Sequence, residues 1–124
     1  MAAGCGSASQ RATSASDRVS IGQGLEGPAG LKATVYATGL RNVSAFAFDA
    51  RGRLWATTSA ASDHRADGVY LIPRGGATPV KVIRRLEGPL GLVWHAGRLY
   101  VSSLGRVDVF SGLAGTHFTQ RKAV

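Results

Sequence analysis

The chain contains an internal repeat. Residues 43–59 read VSAFAFDARGRLWATTS, and from Pro89 onward the sequence reads PLGLVWHAGRLYVSS, with one residue deleted between the copies. Phe46 falls on Leu92, Phe48 on Trp94, Asp49 on His95, Gly52 on Gly97, Arg53 on Arg98, Leu54 on Leu99 and Trp55 on Tyr100. The offset is 46 before the turn and 45 after it, and the match extends upstream to Tyr36 on Val82 and Leu40 on Leu86. A self-similar unit of about 40–50 residues, built from short strands and tight turns, is how propeller blades read in sequence. The expected fold class is therefore all-β: a partial β-propeller of about two four-stranded antiparallel blades, belonging to a six-bladed ring.

Two blades do not close such a ring, because propellers typically need four to eight. A repeat buries its apolar face only against neighbouring repeats. The 124 residues are thus expected to be the front end of a longer propeller. By itself such a piece exposes strand edges and uncovered faces, and it is expected to aggregate or oligomerise.

Turn and strand signals divide the rest of the chain. Residues 1–31 are rich in Ser, Ala, Gly and Thr without periodicity and are expected to form a disordered tether. Residues 32–38, KATVYAT, are expected to form an outer strand. A first blade covers residues 43–85, with strands at 43–48, 53–59, 68–73 and 78–85. A second covers 89–124, with strands at 90–94, 98–103, 106–110 and 116–124. Asp49-Ala50-Arg51-Gly52 is a tight turn, with Asp suited to its first position and Gly to its last. Val69-Tyr70-Leu71-Ile72 is apolar on both faces, which suits a sheet covered on both sides.

Charge and motif content exclude several functions. The net charge is +8, and twelve of the fifteen basic residues are arginines. They are scattered, the longest basic runs being Arg84-Arg85 and Arg121-Lys122, with no interleaved aromatics; solvated turns explain them better than a nucleic-acid partner. No stretch reaches the roughly 18 apolar residues of a membrane-spanning helix. The sequence has no GxSxG, HExxH, P-loop or paired CxxC motif.

The single cysteine, Cys5, excludes an internal disulfide framework. Ala2-Ala3-Gly4-Cys5, followed by Gly-Ser-Ala-Ser, resembles the lipobox of bacterial lipoproteins, in which the cysteine carries the lipid. The charged and apolar regions that should precede such a box are missing before Met1. A start assigned too late is favoured over an incidental cysteine. The parent is then extracytoplasmic, lipid-anchored through Cys5 or secreted, whereas the chain as written would stay in the cytoplasm.

Blade topology sorts the candidate site residues. Connections from an outer strand to the next inner strand, and from second to third strand, share one face of a propeller; the hairpin turns share the other. His95 falls in a hairpin turn and His117 at the start of an outer strand, so both are read as structural. Residues 61–67, Ala-Ser-Asp-His-Arg-Ala-Asp, form the long second-to-third connection and the one insertion relative to the second blade. Asp63, His64 and Asp67 there could hold an anionic or polyhydroxylated ligand, a cofactor edge or a cation, and loops on rigid scaffolds often carry function. Arg41 and Asn42, in the connection before the first blade, join them as weaker candidates. Asn42 is equally suited to forming a turn.

The run Val35–Asn42 (VYATGLRN) together with Ala47–Trp55 (AFDARGRLW) resembles the first blade of the glucose/sorbosone dehydrogenase family, and the resemblance extends over residues 32–124. It implies a secreted or lipid-anchored six-bladed propeller that oxidises a sugar or polyol, binding pyrroloquinoline quinone and calcium. In that family a histidine takes the hydroxyl proton as hydride moves to the quinone. That histidine's motif is expected beyond Val124, so no catalytic residue is assigned here, none of these residues is assigned to a metal, and this chain alone is expected to be inactive. The phrase F-D-x-x-G-R-L-W also occurs in NHL-type binding propellers and gluconolactonase-like hydrolases. Both remain alternatives: the first non-enzymatic, the second needing a divalent metal.

Overall fold

The computed structural model describes residues 17–124. The described residues form ten strands and no α-helix. They are β1 (Arg18–Gly22), β2 (Leu25–Pro28), β3 (Val43–Phe48), β4 (Leu54–Thr58), β5 (Gly68–Ile72), β6 (Val80–Ile83), β7 (Gly91–His95), β8 (Arg98–Ser103), β9 (Arg106–Ala114) and β10 (His117–Ala123). Hydrogen bonding gives a two-stranded sheet, β1-β2, and two four-stranded sheets, β3-β4-β5-β6 and β7-β8-β9-β10. Every pairing is antiparallel and joins strands consecutive in the chain.

Two compact units divide the chain, Met1–Thr34 and Val35–Val124. In the first, residues 18–28 depart from the expected tether by forming the β1-β2 hairpin. Its two-residue loop is Gln23-Gly24, with φ of 55° and 72°. Positive φ at both positions is the turn that matches the twist of a hairpin. Ile21 lies over Gly27, and the Ala33 amide donates to the Ile21 carbonyl at 2.7 Å. The small polar composition of this stretch concealed one Gln-Gly turn flanked by Val19, Ile21 and Leu25. Cys5 and the lipobox-like run lie outside the described residues.

In the second unit the eight strands within residues 43–124 follow the repeat closely, with two sheets of equal strand count and order. The expected outer strand at 32–38 is absent as a strand. Tyr36 meets Phe48 of β3 edge-on, with ring centroids 6.1 Å apart, while its carbonyl accepts the Gly76 amide, beyond β5, at 2.8 Å. Tyr36 is thus held by a ring on β3 and by the β5–β6 turn, with no strand ladder beside it. β9 also extends to Ala114, four residues past the expected end at Phe110.

The two four-stranded sheets pack face to face. Trp55, Val69, Leu71, Ile83 and Leu86 from one side join Leu92, Leu99, Val101 and Phe110 from the other in a single buried cluster. At its centre Trp55 stacks on Trp94, with centroids 5.3 Å apart and planes 19° apart, and Phe118 closes on both rings. Small side chains at Ala45 and Ala47 let the first strands β3 and β7 approach, and the Ser44 hydroxyl donates to the Pro89 carbonyl at 2.6 Å. Gly112, at φ 66°, breaks the alternation of β9 so that Leu113 and Phe118 reach the same interior as Phe110.

Phe46 and Leu92 sit in the first strands of separate sheets, as their alignment requires. Their burial differs: Leu92 is 8% exposed between the sheets, and Phe46 is 67% exposed on the outside.

Candidate functional site

Four connecting segments gather at one end of this unit, joined by three hydrogen bonds. The Ser59 amide donates to the Asn42 carbonyl at 3.0 Å, joining residues 41–42 to the β4–β5 loop. The Gly88 amide donates to Asp67 Oδ2 at 3.3 Å, joining that loop to the β6–β7 connection. The Leu104 amide donates to the Glu87 carbonyl at 3.0 Å, adding the β8–β9 turn. The hairpin turns at Asp49, Gly97 and Gly115 border a separate cleft, also lined by Trp94. Three of the hairpin turns thus line a cleft that none of these four connections enters.

The β4–β5 loop is held from several directions. Its carbonyl at Ala66 accepts the hydroxyls of Thr58, at 2.7 Å, and Tyr70, at 3.0 Å, while the Lys81 ammonium donates to the Arg65 carbonyl at 2.9 Å. Asp67 is the buried anchor. Its Oδ1 accepts the Ala60 amide at 2.7 Å, and its Oδ2 meets His64 Nδ1 at 2.7 Å as well as the Gly88 amide. Burial opposes ionisation of Asp67, but the bonds from His64, Ala60 and Gly88 outweigh it and hold its pKa below the usual carboxylate range. An ionised carboxylate only accepts hydrogen bonds, so the proton on His64 is fixed at Nδ1, and Nε2 becomes the acceptor of the neutral ring.

Arg41, Asn42 and Asp63 line one open cleft of about 580 Å³ with Ser59, Ser62 and Ala66. Asn42 adopts φ 53°, so the turn-forming role of this residue is present together with its place in the cleft. Asp63 is bound by Arg65 through the backbone amide and both sides of the guanidinium fork, at 2.9–3.1 Å. The Arg65 side-chain bonds lower the Asp63 pKa to about 2. Because both side chains are exposed, the pair matters for charge placement more than for stability. The five candidates therefore separate into a cleft group, Arg41, Asn42 and Asp63, and an adjoining loop anchor, His64 with Asp67. His95 and His117 stand exposed at strand ends, at the close of β7 and the opening of β10.

Two further carboxylates were not singled out as centres by the sequence. Asp49 accepts the amides of Arg51 and Arg53, the Arg53 guanidinium at 2.7 Å and the buried Trp55 indole N–H at 2.9 Å. Asp108, wholly buried, receives two-pronged bonds from both Arg106 and Arg121. The Arg121 bonds, reinforced by Arg106 against the effect of burial, lower the Asp108 pKa to about 2. An Arg-x-Asp spacing on a strand places both side chains on one face. That was the available signal, since Arg106 and Asp108 are two residues apart. Ser59 and Ser62, also unassigned from sequence, add hydroxyls to the cleft.

Among the described residues no group of three or more His, Cys, Asp or Glu side chains converges as a metal site. Comparison with family models, curated proteins and solved structures finds no match to this chain.

Proposed function

We propose that residues 43–124 are two adjacent blades of a β-propeller of the sugar-dehydrogenase-like kind, and that the cleft beside Arg41, Asn42 and Asp63 binds a sugar or polyol. The observation carrying this reading is the composition of that cleft. A guanidinium, an amide, an ionised carboxylate and two serine hydroxyls line one opening of about 580 Å³, where the strand connections meet. Such a mixture of donors and acceptors suits a ligand with several hydroxyls, and pockets placed at loop ends on a rigid scaffold are common binding sites.

No oxidation step is derived through calcium or a quinone for these residues. The second reading is an NHL-type binding propeller, in which this cleft recognises its ligand without turning it over.

Titration of the full chain with monosaccharides and linear polyols, followed by ligand-observed NMR, tests the assignment. Saturable binding is expected, with Arg41→Ala and Asp63→Ala each weakening it measurably, because each removes a charged hydrogen-bonding group from the cleft. Binding that both variants leave unchanged would place the ligand elsewhere, and no binding by any polyhydroxyl compound would refute the assignment.

A further inference from the structure

The β6–β7 connection carries a basic opening beside the cleft of Arg41, Asn42 and Asp63. The repeat that sets Leu40 on Leu86 also sets Gly39 on Arg85 and Asn42 on Gly88. The backbone agrees: φ is 80° and 53° in the first copy, 58° and 54° in the second. Both connections thus make the same turn, with positive φ at its first position. Glycine adopts that conformation freely, whereas a residue with a Cβ is strained in it. The second copy nonetheless holds an arginine there, and strain of this kind gathers at ligand-binding positions.

Arg85 lines an opening of about 100 Å³ with Arg106, Arg121, Glu87 and Leu104. The buried Asp108 fixes two of these guanidiniums, each through Nε and Nη2. A guanidinium has five N–H donors, so three remain on each. Solvent reaches both side chains, Arg106 at 47% and Arg121 at 39% exposure. Arg85 and Glu87 are exposed, and neither forms an ion pair among the described residues. Three guanidiniums therefore stand against two carboxylates, Asp108 and Glu87, which leaves one positive charge unmatched. The opening has the volume of about three waters, room for one carboxylate or phosphate group. Guanidiniums bind both groups through two-pronged bonds.

The two openings meet at Gly88. A Cβ there would stand 3.3 Å from the Leu104 side chain and 3.8 Å from Ser59 Oγ. Leu104 lines the basic opening and Ser59 the cleft of Arg41, Asn42 and Asp63. We propose that the ligand of this end is an acidic sugar, its hydroxyls in that cleft and its carboxylate or phosphate among Arg85, Arg106 and Arg121. This rests on the sugar-binding reading of the cleft and specifies the class of sugar.

Isothermal titration calorimetry of the full chain tests it with glucose, glucuronate and glucose phosphorylated at the same carbon, and with acetate and inorganic phosphate as bare anions. At least one acidic sugar should bind more tightly than glucose, and the tighter of the two names the acidic group. The advantage should shrink with rising salt, which screens exposed charges. Arg85→Gly installs the residue of the equivalent turn, so the backbone is kept and the advantage should be lost. Arg74→Gln, which removes the same charge from the β5–β6 turn, should leave it intact. Acidic sugars that bind no better than glucose, or an advantage that survives Arg85→Gly or vanishes equally in Arg74→Gln, would overturn the inference and leave the sugar cleft standing. A bare anion that binds as tightly as the sugar carrying it would overturn the joined ligand. Failure of all three sugars to bind would refute the cleft reading itself.

Discussion

Asp49 shows how one side chain organises a turn. It caps the β3–β4 connection, accepting two backbone amides, and fixes the indole of Trp55, the ring on which the sheets stack. Asp49→Ala would leave a buried indole N–H without its acceptor, a loss of about 1–3 kcal/mol that urea denaturation would measure. Asn in its place should recover part of this, because the amide oxygen still accepts. Asp108 makes a different prediction. Its folded pKa, about 2, lies below the roughly 3.9 of an unfolded aspartate. A depressed carboxylate adds stability above its unfolded value, and that stability fades as the pH falls through the folded one. Wild-type stability should therefore drop between about pH 4 and pH 2, and Asp108→Asn should flatten that limb in urea titrations at successive pH values. An unchanged slope would show that the two arginine forks do not hold the carboxylate in solution.

Strands and turns were the most legible elements, because each copy of the repeat carried its own punctuation. Asp-x-x-Gly at residues 49–52 and Ala-Gly at 96–97 marked hairpins where the chain forms them. The β1-β2 hairpin escaped notice because it occurs once, so no second copy reinforced its single Gln-Gly turn. The segment at 32–38 differs for the opposite reason: alignment with β6 implies a ladder, but Tyr36 engages Phe48 on β3 and Gly76 in the β5–β6 turn. Within the candidate site, the position of the β4–β5 loop was legible from its length relative to the second copy. The burial of Asp67 was not, since its partners Ala60 and Gly88 offer backbone amides that carry no side-chain signature. Gly68 illustrates a constraint that only the packed sheet reveals. A Cβ there would meet the Ile83 carbonyl oxygen and the Lys81 side chain, so Gly68→Ala must push β5 from β6. Overpacking of this kind costs about 1–3 kcal/mol, and thermal unfolding should show it as a lowered Tm.

At the scale of the whole molecule, the interior is shared by two sheets, neither of which buries much alone. Trp55 belongs to the first sheet yet is completed by Trp94 and Phe118 of the second. Trp55→Ala should accordingly cost about 3–5 kcal/mol and unfold both sheets together in one transition followed by fluorescence of Trp94 and by far-UV circular dichroism. Separate transitions would mean that the sheets are independent. The proposed sugar-binding cleft uses the loop end of this frame. It depends on β3 and β7 being first strands of distinct sheets packed through their side chains. Nuclear Overhauser contacts test that arrangement most directly. The account predicts ring contacts among Trp55, Trp94 and Phe118 and methyl contacts from Ala45 and Ala47 to the second sheet, with α-proton ladders ending at β3 and β6 on one side and at β7 and β10 on the other. An α-proton ladder joining β6 to β7, or β3 to β7, would contradict it by merging the two into one continuous sheet.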